Sequence, residues 1–162
     1  MIIVSDTTPI ISLLKIEKLY LIQKLYDSIT IPSAVYNELL AKDSFPNEIV
    51  MIKSCDFIQV NDVKNQSAVK LLAAATGLDK GESEAIALFE EINADLLLVD
   101  ERKARFIAKN LNINTIGTLG ILIESKKLGF ISELRPLLEK LIENNIHISE
   151  DLFNKIVNLD HQ

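Results

Sequence analysis

The sequence is short of the residues that build most ready-made chemical sites. It has one cysteine, Cys55, so no internal disulfide can form. A lone thiol fits a reducing compartment, the cytoplasm being the expectation here, and Cys55 is read as structural. The only histidines are His147 and His161, which excludes a His-rich zinc site. Nowhere do about 18 apolar residues run consecutively, so no membrane span is expected. The first residues lack a basic segment leading into an apolar run and a cleavage site, so export is not expected either. There is no G-x-S-x-G elbow and no phosphate-cradling P-loop. Repeats, low-complexity tracts and Gly/Ser linkers are also missing.

What is present is core material. Of 162 residues, 48% are hydrophobic, enough to argue against disorder and for one domain spanning 1–162. The 17 basic and 23 acidic residues leave a net charge of −6. A chain this acidic does not coat nucleic acid through its overall field, so any such contact must be local. The same acidity allows a basic partner or a cation-binding cleft.

The chain opens on Ile2-Ile3-Val4, a continuous β-branched run of the kind found in strands covered on both faces of a parallel sheet. Thr7 or Thr8 can cap a following helix with Pro9 in its first turn. Asp6 then stands at the carboxyl end of a strand, where open α/β sheets place ligands. The simpler reading is that Asp6 merely caps the helix. Apolar spacing from Ile10 to Leu25 predicts one bent or two short helices, followed by a strand at Ser28–Ile31. Pro32 and Ser33 start a helix whose stripe is Val35, Leu39 and Leu40, with Glu38 at its edge. Asp43 to Asn47 reads as a loop before a short apolar stretch and a third strand at Phe57–Val60. A small-residue helix then runs through Val69 to Ala75 and stops at Gly77.

Counting from Glu82, the positions Ala85, Ile86 and Phe89 fall at i+3, i+4 and i+7, which places Glu82 on a core-facing stripe. Glu84 falls off that stripe and is explained as a complement to the helix dipole. Leu96-Leu97-Leu98-Val99 is a second apolar strand ending in an acid, Asp100, and repeats the pattern of Ile2 to Asp6. Arg102, Arg105 and Lys109 follow at i, i+3 and i+7, a basic stripe that is either solvated or set to contact phosphates. Ile113–Ile116 makes a fifth strand, and Gly117-Thr118-Leu119-Gly120 turns into another helix. From about Gly129 a helical extension, 129–162, carries a strong stripe at Leu134, Leu137, Leu138, Leu141 and Ile142. Ser149 caps its last helix.

Four acids thus lead towards one sheet edge: Asp6, Glu38, Glu82 and Asp100. Brought within ~4–6 Å they could not all ionise near neutral pH without a cation. A divalent ion resolves the conflict, and all-oxygen ligands suit Mg²⁺ or Mn²⁺, which activate water for attack at phosphorus.

At these residues the chain resembles the PIN-domain family, metal-dependent ribonucleases that include the VapC toxins. The resemblance rests on Val4-Ser5-Asp6-Thr7-Thr8-Pro9, on Leu78-Asp79-Lys80-Gly81-Glu82-Ser83-Glu84-Ala85-Ile86-Ala87-Leu88, on Gly117-Thr118-Leu119-Gly120 and on the helical tail. It covers essentially the whole chain. It implies a three-layer α/β/α fold with a parallel sheet of order 3-2-1-4-5 and extra C-terminal helices. Asp6, Glu38, Glu82 and Asp100 match the family's acidic metal cluster, and Thr7, Thr8 and Thr118 would support it. Many members carry Asp where this chain has Glu82, which leaves Glu84 open as the alternative ligand. The implied sheet order makes the strands before Asp6 and Asp100 neighbours, so their carboxylates are expected to share an ion or a bridging water, with Glu38 and Glu82 facing them.

Two other α/β families fail on named residues. A receiver domain needs an acidic pair after its first strand and a Lys after its last; Ser5-Asp6 and Gly117-Thr118 stand there. A haloacid-dehalogenase-type phosphatase needs an acid where this chain has Thr8. The readings that remain are an endoribonuclease, with the toxin of a toxin–antitoxin pair as one form of it, and a catalytically silent PIN-fold module that binds RNA or protein. A homodimer is expected, and Leu134 to Leu159 either contributes to a dimer or antitoxin interface or caps the core.

Overall fold

The structure, a computed structural model, describes residues 1–41 and 46–161. One sheet holds β1 (Ile3–Ser5), β2 (Ile29–Pro32), β3 (Ile58–Asn61), β4 (Leu96–Leu98) and β5 (Thr115–Ile116), in the order β3-β2-β1-β4-β5. Every neighbouring pair is parallel, so β1, the first strand in sequence, is the middle of the sheet. The expected order 3-2-1-4-5 and the α/β/α layering are what the structure shows.

Alternation along the strands builds the layers, because successive side chains point to opposite faces. Ile3 and Leu98 join one buried cluster with α1 (Thr7–Lys15), α2 (Tyr20–Tyr26), α3 (Ser33–Leu39) and α8 (Thr118–Lys127). Val4, Leu97 and Val99 join the other with α5 (Gln66–Thr76), α6 (Lys80–Glu91) and α7 (Arg102–Asn110). A sheet covered on both faces explains why its strands read as continuous apolar runs. The tail forms α9 (Arg135–Glu143) and α10 (Glu150–Asn158), and Ser149 caps α10 through the Leu152 N–H at 3.2 Å. Leu134, Leu137, Leu138, Leu141, Ile156 and Val157 are buried in the same cluster as Ile3 and Leu98. Of the large apolar residues in these two helices, Ile142 and Leu152 stay exposed.

Local differences from the expected elements have physical causes. Neither Thr7 nor Thr8 is the cap of α1; the helix begins at Thr7 and Asp6 takes the N-cap position. The loop expected over Asp43 to Asn47 lies outside the described residues up to position 45, and Pro46 and Asn47 open a helix, α4 (Pro46–Ser54). A proline at the first helical position loses no hydrogen bond the helix would have made, so it starts α4 rather than ending a loop. Among the described residues no helix is long and apolar enough to cross a membrane.

Candidate active site

The carboxyl edge of the central strands carries the site. Asp6 follows β1, and its backbone N–H donates to the Leu98 carbonyl of β4 at 2.9 Å. The register pairs Ser5 with Leu98, so Asp100 leaves β4 beside the same strand end. The two acids therefore stand on adjacent strands, at the point where the sheet order reverses and ligands of such sheets bind.

Asp6 occupies the N-cap position of α1 in extended conformation (φ −80°, ψ 174°), yet its side chain makes no capping hydrogen bond. The residue is only 4% exposed. Burial pushes its pKa from 3.8 up to about 7; the adjacent Thr7 N–H draws it back, while Glu82, Asp79 and Glu38 add repulsion. The cap reading of Asp6 thus lacks the bond that would define it. The charge of Asp6 is instead opposed by burial and by Glu82, Asp79 and Glu38.

Glu38 reaches this place from α3. The Thr7 hydroxyl donates to Glu38 Oε2 at 2.6 Å. A Cβ built on Gly81 would lie 3.0 Å from Glu38 Cδ and collide with its oxygens, so the absence of a side chain at Gly81 is what lets the carboxylate rest on the start of α6. Burial raises the pKa of Glu38, against the Thr7 hydrogen bond that lowers it; Asp79 raises it further, the Gly81 N–H lowers it and Glu84 adds to the rise.

Glu82 and Asp79 form a reciprocal cap at the start of α6. Asp79 Oδ1 accepts from the Glu82 N–H at 2.8 Å, and Glu82 Oε2 accepts from the Asp79 N–H at 2.9 Å. Burial raises the pKa of Glu82, the Asp79 N–H opposes this, and Asp79, Glu101 and Glu38 add to the rise.

The burial expected of Glu82 belongs to its neighbour. Glu82 is partly exposed, whereas Glu84 is 3% exposed and accepts from the Ala34 N–H in the first turn of α3 at 3.1 Å. Counting a single stripe from Glu82 misplaced the face, because Gly81, Ser83, Glu84, Ala85, Ile86, Leu88 and Phe89 are all buried and α6 is covered over a wide arc. Glu84 stabilises the N-terminus of α3, an anion at a positive helix end.

Asp100 is held differently. Its Oδ1 accepts from the Thr118 N–H and its Oδ2 from the Thr118 hydroxyl, both at 2.6 Å. The cap of α7 is Glu101, through the Ala104 N–H at 2.7 Å, so Asp100 caps α8 from across the sheet edge. Gly117 leaves room for this, since a Cβ there would stand 2.6 Å from Asp100 Oδ1 and 3.4 Å from Arg105 Nη1. Of the three threonines expected as supports, Thr7 holds Glu38, Thr118 holds Asp100, and Thr8 is exposed near Asp100. Arg102, Arg105 and Lys109 all lie on the solvent side of α7.

Sequence reasoning passed over Asp79, which the structure sets among the acids around Asp6. The signal for it was present, since Asp79-Lys80-Gly81-Glu82 has the acid-x-x-Glu spacing of a capping box.

Among the described residues no three His, Cys, Asp or Glu side chains converge closely enough to cage a metal ion. The donor set is nonetheless all oxygen and fits a hard divalent cation. Mg²⁺ is commonly held by one or two carboxylates, with waters and substrate phosphates completing its shell. Asp6, without a capping bond and crowded by acids, is the donor with most to gain from such an ion.

No curated protein matches the chain. A PIN-domain family model matches residues 2–162. PIN domains are typically nucleases, in general metal-dependent ribonucleases that use divalent ions. The parallel sheet, the acids at the ends of β1 and β4 and a family match over nearly the whole sequence lead to one assignment: this chain belongs to the PIN-domain family.

Proposed function

We propose that the chain is an endoribonuclease that uses Mg²⁺ or Mn²⁺, with Asp6, Glu38, Glu82 and Asp100 as the acids facing the ion. The observation that carries this is Asp6: buried, without a capping bond, repelled by Glu82, Asp79 and Glu38, and raised to about 7. A carboxylate in that setting is costly unless a cation compensates it. Glu82 is preferred over Glu84 because Glu82 is among the charges acting on Asp6, whereas Glu84 is committed to the Ala34 N–H.

When bound, a divalent ion would supply a nucleophilic water at neutral pH and offset charge on the scissile phosphate. The chain's own residues do the rest. Thr7 orients Glu38, Asp79 orients Glu82 and Thr118 orients Asp100, each by a direct hydrogen bond. Arg102, Arg105 and Lys109 offer a local cationic face to the strand's phosphates in an otherwise acidic protein. A role as the toxin of a toxin–antitoxin pair is part of the same proposal and rests on the family alone. Growth arrest on expression, relieved by Asp6→Asn, tests it.

The test of the activity is cleavage of a labelled single-stranded RNA by the purified protein. Cleavage is expected with Mn²⁺, abolished by a chelator and reduced at least 100-fold in Asp6→Asn. Undiminished cleavage in the chelator or in Asp6→Asn overturns the reading, and Mn²⁺ binding with no cleavage of any RNA leaves a silent binding module.

A further inference from the structure

A cavity of about 370 Å³ opens beside Asp100. One wall is the start of α8, with Gly117 and Thr118; the other is the turn between α9 and α10, with Ile146, His147 and Ile148, and Leu152 beyond it. Thr8 and Ser12 of α1 and Arg105 of α7 also line it. The tail thus contributes five of the fifteen lining residues, and the cavity shares Thr8, Asp100 and Thr118 with the candidate active site. Its volume is that of a site for one small molecule, and its lining has the corresponding make-up, apolar walls with a few convergent polar groups.

The polar groups have a direction. Arg105 Nη1 comes within 3.4 Å of where a Gly117 Cβ would be, beside Asp100, yet among the described residues Arg105 forms no ion pair. Both Asp100 oxygens already accept from Thr118. Arg105 is therefore a guanidinium at the cavity, near Asp100 but in no direct ion pair with it, and its planar fork suits a phosphate. Leu119 and Gly120, also in the lining, bring first-turn N–H groups that a helix leaves without intrahelical partners. Facing them, Leu152 is 40% exposed and His147 is exposed. An imidazole is among the planes on which an unstacked base stacks, and Leu152 adds apolar contact beside it.

We propose that this cavity seats one nucleotide of a single-stranded RNA, with its phosphate at Arg105 and the start of α8 and its base between Leu152 and His147. The tail then selects which base stands next to the cleaved bond. The proposal rests on the ribonuclease reading above and adds a subsite to it. The larger groove between α5 and α6, about 660 Å³, is lined mainly by aliphatic carbon, including Leu71, Leu72 and Ile86, and nothing in the structure says what covers it.

The experiment titrates the full chain, with Mg²⁺ present, with each of the four nucleoside 5′-monophosphates and with inorganic phosphate, following backbone amide shifts. At least one nucleotide is expected to shift Gly117 to Gly120 and Ile146 to Leu152, and to bind more tightly than phosphate. Leu152→Asp, which replaces the apolar face by a charge at an exposed position, and Arg105→Ala should each weaken that binding at least fivefold, with His147→Ala as a milder exposed variant. Nucleotide binding no tighter than phosphate binding, shifts confined to other regions, or affinity unchanged in both Leu152→Asp and Arg105→Ala overturns the proposal. The two readings fail separately. Wild-type cleavage of RNA with unchanged site preference and nucleotide affinity in Leu152→Asp removes the subsite and keeps the nuclease. Nucleotide binding weakened in Leu152→Asp and Arg105→Ala, in a protein that cleaves no RNA, keeps the subsite and removes the nuclease.

Discussion

Asp6 and Asp100 follow adjacent parallel strands, both after apolar runs and both just before a helix, and the protein treats them in opposite ways. Asp100 is satisfied twice over by Thr118. Asp6 is more deeply buried, has no capping bond, and faces Glu38, Asp79 and Glu82. The same sequence pattern thus yields one carboxylate whose charge stabilises the fold and one whose charge opposes it. A group that opposes its own fold at neutral pH is a candidate for function rather than for structure.

The contrast is sharpest in the pH dependence of the metal-free protein. Unfolded, Asp6 titrates near 3.8; folded, near 7. Between those values the folded state holds a proton that the unfolded state has lost, so stability falls as pH rises from about 4 to about 7 and then levels off. The full span is on the order of 4 kcal/mol at 1.36 kcal/mol per pH unit. Denaturant unfolding in a chelator across that range should show the fall in wild type and a flatter profile in Asp6→Asn. A wild-type profile as flat as the variant's would put Asp6 on a par with Asp100.

Asp100→Asn should have the opposite sign. An amide keeps the shape but loses charge-assisted bonds, typically worth about 1.5–3 kcal/mol, and the variant should be less stable than wild type by about 1–2 kcal/mol at pH 7. Asp6→Asn at the same pH should be equal to wild type or more stable. Matching shifts of the same sign would erase the distinction between the two strand ends.

A smaller effect separates the acids of α6. Glu84→Gln should lower stability by about 1 kcal/mol by weakening the charged acceptor of the Ala34 N–H, with little change in metal affinity. Glu82→Gln should leave stability within about 0.5 kcal/mol, since surface changes are usually of that size, and should weaken Mn²⁺ binding. Isothermal titration of the two variants with Mn²⁺ distinguishes them, and the reverse ranking would return the ligand role to Glu84.

The strand ends were legible in the sequence because Ile3-Val4 and Leu96 to Val99 are short apolar runs, the pattern of doubly covered strands, each ending on an acid. The sheet order came from the family resemblance, since strand sequence alone carries no neighbour information. Partners remote in sequence were not legible. The bonds from Thr118 to Asp100 and from Ala34 to Glu84 span 18 and 50 residues, and no periodicity within one helix reveals them. Glu82 and Glu84 were exchanged for the same reason: a stripe count assumes one buried face, while α6 packs against α3, α5 and the sheet. The helix α4 was missed because Pro46 reads as a loop residue until its place at a helix start is seen.

The central claim is that Asp6 is kept costly so that a divalent ion can compensate it. Thermal melts of wild type and Asp6→Asn, with and without Mn²⁺, test it most directly. An ion that binds only the folded state adds RT ln(1 + [L]/Kd), about 2.7 kcal/mol at a hundredfold excess over Kd. Wild type should start lower and rise clearly with Mn²⁺, while Asp6→Asn should start equal or higher and rise little. An Asp6→Asn protein that keeps the full Mn²⁺-induced rise would contradict the account.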